Sequence, residues 1–544
     1  MLHKADDPGR PVSGTTTDTT HQKAIGMHKR PLIVLALAST VSVSAAILPA
    51  DEPYELVISS GCVIDPETRL QAVRHIGING HTIVAISEDP LEGKRVLDAA
   101  GGIVAPGFID FHAHGQNIPA DRMQAFDGVT TALELESGIL PVGPWYDIQR
   151  RTGRVINYGV AAAWTYARVS ALEGIEPEPT LKWFQDAYAL TRWVNDVADD
   201  AQTQEILRRV EQGIDEGSIG IGLNSGYAPG YGYKEVLAVH QLAAQRKVPT
   251  FTHIRNLSGV DPNSSVQAYG ELISFATGAG SHVHICHLNS TSLGDIPIAT
   301  RIIRDAQERG ARITVEAYPY GAGSGAVNAA MFQPANMKRM NARAEDIEYL
   351  GKPLTEEKLR QMQKDSPGEI IVWHYYRLPR DQHLLDQAVL YPGGIIASDA
   401  MPWIDKTNGK IIDADVWPLP DNAFAHPRTA ATFVKFLIDY VRDRQAEPLI
   451  DAIARCSYRP ATILQEYVPQ MEKKGRIQEG ADADLIVFAM DELKVQATYT
   501  DPNQHTLGMR HVIVNGTPII TEGALDTNAF PGQPIRRPQR SQTE

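Results

Sequence analysis

A short apolar run that ends in two histidines one residue apart constrains this chain more than any other feature. Residues 102–116 read GIVAPGFIDFHAHGQ, and the run breaks at His112-Ala113-His114. On a β-strand, residues i and i+2 point to the same side. Both imidazoles therefore reach one point at the end of one strand, which is how a protein offers two nitrogen ligands to a metal. The preceding Ile103-Val104-Ala105-Pro106-Gly107-Phe108-Ile109-Asp110 reads as a tight entry followed by a buried parallel strand.

Further ligand-type residues follow in order along the chain. Residues 128–138, GVTTALELESG, place Glu134 and Glu136 on one strand face. Two carboxylates inside a buried strand are costly unless they are paired or bind metal. His253 ends the run Phe251-Thr252-His253, and His287 lies in His282-Val283-His284-Ile285-Cys286-His287. If His287 points inward, so do Ile285 and Val283, which turns His282, His284 and Cys286 toward a helix layer as packed groups. The run Ile395-Ile396-Ala397-Ser398-Asp399 is an apolar strand ending in an acid.

The 544 residues are 43% hydrophobic and 21% charged, enough for a large core. A barrel of roughly 250 to 350 residues plus a smaller domain fits that length. The formal net charge of -14, with no basic stripe, argues against a nucleic-acid partner. Cys62, Cys286 and Cys456 form no CxxC zinc motif and no disulfide framework, so histidines and carboxylates must hold any metal.

Strand-like apolar runs at 128–136, 155–163, 218–223, 248–253, 282–288, 313–318, 370–373 and 394–398 alternate with amphipathic stretches such as 203–216, 233–246, 266–277 and 299–309. Eight such strands predict an α/β chain folded as a (β/α)8 TIM-like barrel over residues 106–470, with His112 on or just before the first strand. Short strands at 54–64, 76–78 and 82–87 are matched by strands at 483–489 and 511–516, so segments 51–105 and 471–525 predict a small β-sandwich built from both chain ends. Residues 526–544 read as a tail, and the Pro/Arg/Gln-rich part from Pro531 predicts disorder. Within residues 1–50, the stretch from Met27 has a basic start (His28, Lys29, Arg30), an apolar run at 32–38 and small residues at 44–46. That is a secretory signal pattern, implying a secreted or periplasmic protein with no stable membrane insertion after cleavage.

The order HxH, Glu, His, His, Asp resembles that of the amidohydrolase superfamily, and more narrowly the N-acyl-D-amino-acid deacylases (D-aminoacylases). Other shared markers are Gly128-Val129-Thr130-Thr131, Tyr227-Ala228-Pro229-Gly230, Thr252-His253-Ile254-Arg255, YPYGAGS at 318–324, His426-Pro427-Arg428 and GRIQEGADADLIVF at 475–488. The resemblance implies that His112 and His114 bind the more buried metal and that His253 and His287 serve a second site. It makes Asp399 both a metal ligand and the general base. Tyr318 and Ser324 fall in the substrate-contacting segment, and Arg428 matches the arginine that grips the substrate α-carboxylate. The implied cofactor is zinc, as one or two ions, with other divalent metals open.

The chain departs from the family at three places. Ser137 stands where the family has its metal-bridging cysteine. Glu136 is the candidate bridge, with Glu134 in reserve. Asn289 replaces a lysine that helps bind the substrate carboxylate, so a substrate contact at Asn289 would be neutral. A long insert, 400–425, separates Asp399 from His426 and would either sit over the barrel mouth or pack on the surface. The reading is a metal-dependent hydrolase that cleaves the amide of an N-acyl (D-)amino acid or related small molecule with activated water. A cyclic amidase or lactonase on the same centre is the alternative, and a non-catalytic extracytoplasmic binding protein comes from another class. The partner implied is a small molecule, with the oligomeric state open. The exported protein is expected to begin between about Ala45 and Asp51, and N-terminal sequencing that returned Met1 or Met27 would contradict the signal reading.

Overall fold

Eight parallel strands carry the architecture of the computed structural model, which describes residues 53–539; the expected signal segment lies outside them. In chain order they are β1 (Phe108–Asp110), β2 (Val129–Ile139), β3 (Asn157–Ala163), β4 (Ile221–Asn224), β5 (Thr250–His253), β6 (Val283–Ile285), β7 (Ile313–Ala317) and β8 (Ile395–Ile396). They lie side by side in sequence order as one parallel sheet. Helices connect them, as in a (β/α)8 barrel. Tyr233–Arg246 and Asp200–Asp215 are two of these; the second opens on a capping box in which Asp199 and Gln202 satisfy each other's backbone N–H.

β1 and β8 share no ladder, yet the ring closes just beyond them. Ala113 and Ala400 form a parallel bridge, with His114 N donating to Ala400 O at 2.8 Å and Ala400 N to His112 O at 3.1 Å. The barrel interior is filled by Ile109, Phe111, Leu133, Leu135, Phe251 and Ile395. The strands read as continuous apolar runs because both of their faces are covered.

Two elements differ from the expectation. The run at 370–373 belongs to a strand, Ile370–His374, that lies outside the barrel. It pairs antiparallel with Ala322–Ala326 in a four-stranded side sheet between β7 and β8. The eighth barrel strand is instead Phe108–Asp110, only three residues long behind Pro106-Gly107. An apolar run of five residues looks the same from sequence whether it completes a barrel or covers one.

The second sheet draws on both chain ends, as expected. Five strands between Tyr54 and Pro106 and four between Leu485 and Leu525 form one continuous nine-stranded sheet. Its seam is Ile103–Pro106 running antiparallel to Leu485–Phe488. Leu56, Ile58, Val63, Ile76, Leu485, Val487 and Ile513 share its core. No helix among the described residues is long and apolar enough to cross a membrane.

The segment from Pro531 is ordered through residue 539, contrary to the expected disorder. It runs across the N-terminal ends of β3 and β4. Ile535 N donates to Tyr158 O at 2.7 Å, Arg537 N to Gly217 O at 3.1 Å, and Tyr146 Oη to Ile535 O at 2.7 Å. Ile535 is fully buried in the interior cluster that fills the barrel, so it plugs the bottom of the ring. Composition signalled a solvated tail; a single buried isoleucine and three carbonyl contacts decide otherwise. Ile535→Ala is expected to lower unfolding free energy by about 2–5 kcal/mol, measured by urea denaturation; an unchanged midpoint would mean that the tail does not seal the barrel.

Candidate metal centre

The functional side chains come from the C-terminal ends of the barrel strands, where barrels of this kind place their chemistry. His112 and His114 follow β1, Glu134 and Glu136 lie in β2, His253 ends β5, His287 follows β6, and Asp399 follows β8. His112, Glu136, His253, His287 and Asp399 are buried, and His114 nearly so.

The two histidines of the HxH pair are fixed by their outer nitrogens. His112 Nδ1 lies 2.6 Å from Glu316 Oε1, and His114 Nδ1 lies 2.8 Å from Glu134 Oε2. An ionised carboxylate only accepts, so each Nδ1 carries the proton and each Nε2 carries a lone pair. The two Nε2 atoms face each other at 3.1 Å. Two lone pairs at that separation repel unless a cation or a proton lies between them. Tetrahedral coordination with metal–nitrogen bonds of about 2.0–2.1 Å places ligand atoms roughly this far apart.

The same point is enclosed by carboxylate oxygens. His112 Nε2 lies 3.3 Å from Glu136 Oε2 and 3.4 Å from Asp399 Oδ1; His114 Nε2 lies 3.4 Å from Asp399 Oδ1. The other oxygen of Glu136 serves a second point. Its Oε1 lies 3.1 Å from His253 Nδ1 and 2.7 Å from His287 Nε2. Glu136 thus faces two ligand groups with its two oxygens, the geometry of a bridge, while Glu134 holds His114 from behind and accepts from the backbone N–H of Ser137 at 3.2 Å. Ser137 itself accepts from Asn224 Nδ2 at 2.7 Å and takes no part in either group.

The charges around these points are unbalanced toward negative. Burial pulls the His112 and His114 rings toward the neutral form, but Asp399, Glu136 and Glu316 around His112 push it well above its ordinary value, and Glu134 and Asp399 raise His114 to about 9. Burial would raise Glu136 and Asp399; His112 and His287 hold Glu136 well down, and Arg428 with His112 lowers Asp399. Without a metal, His112 and His114 call for protons, whereas burial holds His253 toward the neutral form. A divalent cation supplies the same charge, and imidazole with carboxylate is a donor set that suits it. Three-residue groups able to hold a cation recur here: His112–His114–Glu136, His112–His287–Asp399 and Glu136–His253–His287.

His287 and Asp399 share a backbone feature. Both stand just beyond a strand end with left-handed φ, 31° and 52°, a region that side chains other than glycine rarely adopt. At His287 this overturns the expected alternation. Val283 and Ile285 pack outward among the helices, while His282, His284 and Cys286 point into the barrel. The left-handed turn then brings His287 into the site as well. The strand period applies only where the strand continues.

The substrate-side residues separate into two kinds. Arg428 is fully buried; its Nε donates to Asp399 O at 2.6 Å and its Nη2 lies 2.9 Å from Asp399 Oδ2. It stands over the Tyr318 ring, 4.7 Å from the centroid. Its Nη1 has no hydrogen-bond partner, and the Tyr318 hydroxyl lies beside Ser290 and Tyr375. A side chain at Gly323 would come within 3.2 Å of that hydroxyl and 3.6 Å of Nη1, so the glycine leaves the space before them open. Asn289, expected to contact substrate, instead gives its amide to the carbonyls of Tyr318 and Tyr320 at 3.1 and 3.3 Å and to Tyr375 Oη at 2.8 Å. Ser324 lines the cavity beside Tyr227 and Trp373, but its hydroxyl donates to Ile371 O at 2.7 Å. Of the insert, Met401 reaches the cavity next to His114, while Trp403 packs with Ala120 and Met123 and Trp417 stacks on Phe126.

Glu316 is the functional residue that sequence reasoning missed. Its signal was available: it is a lone acid in the apolar strand Ile-Thr-Val-Glu-Ala, the same feature that singled out Glu134 and Glu136. Glu136→Gln should lower bound divalent metal per chain more than Glu134→Gln does, because only Glu136 faces both ligand groups. Metal analysis in which the Glu134 variant alone loses metal would reverse the assignment.

A family model described as the amidohydrolase family matches residues 95–204 and 229–520, well over half of the chain. An N-acyl-D-glutamate deacylase of Alcaligenes xylosoxydans xylosoxydans is 22% identical over 520 residues, covering 89% of this chain and 97% of that protein. A D-aminoacylase from the same organism is 25% identical over 513 residues, covering 89% and 96%. Among solved structures, an N-acyl-D-glutamate deacylase of Bordetella bronchiseptica, complexed with zinc and a phosphonate inhibitor that mimics the tetrahedral intermediate, superposes with a TM-score of 0.70. It is 21% identical and covers 89% of this chain and all of that one, a likeness of fold.

Proposed function

Because the chain belongs to the amidohydrolase family, we propose that it is a metal-dependent hydrolase that cleaves the amide bond of N-acyl amino acids, D-configured ones included. The observation that carries this reading is the approach of two imidazole Nε2 atoms to 3.1 Å between Glu136 and Asp399. His112, His114, Glu136 and Asp399 would hold one ion, and His253, His287 and Glu136 a second. Zinc is the ion favoured by four histidines and by the zinc complex of the Bordetella deacylase. Such a cation lowers the pKa of water, to about 7 for zinc, and polarises the carbonyl oxygen.

The chain's own groups do the rest. Asp399 presents Oδ1 to the ligand nitrogens and Oδ2 to Arg428. It is placed to take the proton from the attacking water as the C–O bond forms, and to return it to the departing nitrogen as the C–N bond breaks. Arg428 keeps that carboxylate ionised at rest. Its free Nη1 and the Tyr318 hydroxyl offer two donors to a substrate carboxylate. A planar guanidinium suits that ligand better than an ammonium. With Asn289 in place of the lysine that the family resemblance implies, one cation is left for the task. Export to the periplasm or beyond, from the segment after Met27, is part of the same proposal.

Two tests address this reading. Asp399→Asn should retain metal through the histidines and Glu136, with kcat lower by about 10²–10⁴; near-normal turnover would remove Asp399 from the proton transfers. The second compares an N-acyl amino acid with its C-terminal amide on wild type and on Arg428→Met. Since Arg428 also holds Asp399, both rates should fall in the variant. The informative quantity is the ratio of kcat/KM for acid over amide, expected to be about ten- to a hundredfold in wild type and near one in the variant. A ratio near one in both proteins would favour a cyclic amide or ester as the substrate.

A further inference from the structure

Behind His112 the barrel core holds an unbroken series of polar side chains that the proposed reaction does not use. Glu316 Oε1 lies 2.6 Å from His112 Nδ1, and its Oε2 lies 3.0 Å from His284 Nε2. His284 Nδ1 lies 2.8 Å from Thr314 Oγ1, which lies 3.0 Å from His282 Nε2. His282 Nδ1 lies 2.9 Å from Tyr467 Oη, and Arg312 Nη2 donates to that hydroxyl oxygen at 2.6 Å. Arg312 reaches the surface, where it pairs with Glu466. His284, Glu316 and Thr314 belong to β6 and β7, so two adjacent strands build the column through the ring.

The carboxylate end, read through neutral imidazoles, fixes the direction of the hydrogen bonds, and the guanidinium end is compatible with it. A guanidinium can only donate, and an ionised carboxylate can only accept. Arg312 donates to the Tyr467 oxygen, which leaves the tyrosine proton available to His282 Nδ1. A neutral His282 then donates from Nε2 to Thr314, and the threonine proton goes to His284 Nδ1. A neutral His284 donates from Nε2 to Glu316. Glu316, with its second oxygen, accepts from His112 Nδ1, and the His112 lone pair is left on Nε2. Burial lowers His282 to about 3, so that ring is neutral near pH 7. A reversed tautomer anywhere in the series would set donor against donor or lone pair against lone pair.

We propose that Glu316, His284, Thr314, His282, Tyr467 and Arg312 form a one-directional hydrogen-bonded column through the barrel core that positions His112, locking it as the tautomer whose Nε2 lone pair faces the metal. All six are positioning residues; none touches substrate. The inference rests on the reading of the histidine cluster as a metal centre. It adds that the affinity of this centre is set in part by groups on the opposite side of the barrel.

The test measures zinc dissociation constants by chelator competition on the full chain, together with the thermal stability of each metal-free protein. Glu316→Gln keeps the shape of the side chain but replaces one acceptor with a donor, and zinc binding should weaken about 10- to 100-fold. Thr314→Val cuts the column three links from His112 and should give a loss between wild type and Glu316→Gln; Thr314→Ser, which restores the hydroxyl, should return the affinity to that of wild type. These shifts should appear among variants whose metal-free forms remain folded, and the Thr314 pair carries the test if Glu316→Gln does not fold. Wild-type affinity in both Glu316→Gln and Thr314→Val would overturn the column. Equal losses in Thr314→Val and Thr314→Ser would also overturn it, because the hydroxyl would then be irrelevant. Cys286 lies beside His112 and Glu316, and these three could hold a cation themselves. A loss in Cys286→Ser as large as in Glu316→Gln would therefore replace the column by a thiolate site. A wild-type protein that binds no divalent metal would remove the metal centre and the column together.

Discussion

Asp110 joins the first and last strands of the barrel, and the placement of His112 beside Asp399 depends on that junction. Its Oδ1 accepts from the backbone N–H of His112 at 3.1 Å and of Ser398 at 2.9 Å, one group from each side of the seam. Its Oδ2 accepts from the Ser398 hydroxyl and from Gln124 Nε2 at 2.9 Å. Burial pushes this carboxyl up to about 6 against the effect of those donors. β1 is three residues long and β8 two, too short to close the ring by a ladder of their own. The carboxylate substitutes for that ladder. In doing so it sets His112, two residues after Asp110, beside Asp399, the residue after Ser398.

Carboxylates recur around this centre in distinct jobs separated by geometry. Glu134 and Glu316 hold the outer nitrogens of His114 and His112, Glu136 faces both ligand groups, and Asp399 divides its oxygens between those groups and Arg428. A histidine with one nitrogen committed to a carboxylate is a better-oriented and more basic ligand through the other. Concentrating so many acids in a buried space has a large desolvation cost. That cost is tolerable only if cations share the space, which is why the same side chains that make the barrel interior polar also make it a metal site.

Arg428 ties two parts of the proposed chemistry together. It holds Asp399 through both a backbone and a side-chain oxygen, and it stands on Tyr318 with one terminal nitrogen unpartnered. A carboxylate arriving at that nitrogen would sit within reach of the group that tunes the base. Substrate recognition and base placement are therefore not independent in this chain. The tyrosines around Arg428 are in turn set by Asn289, whose amide bonds Tyr318 O, Tyr320 O and Tyr375 Oη.

Sequence by itself determined the barrel, the two-ended sheet and the order of the histidines and acids that gather at the strand ends. Strand periodicity, the HxH spacing and acids inside apolar runs are local signals, and each survives without knowledge of what lies across the ring. It did not determine which apolar run closes the barrel. Ile370–His374 and Phe108–Asp110 differ in partner, not in pattern. Nor did it foresee which face His284 takes, because the left-handed turn at His287 resets the alternation after the strand has ended. The separate tasks of Glu134 and Glu136, the burial of Ile535 and the pairing of Arg428 with Asp399 were likewise decided only by the fold. In each case the deciding partner is distant in the chain, and a hydrogen bond between distant residues leaves no periodic trace in sequence.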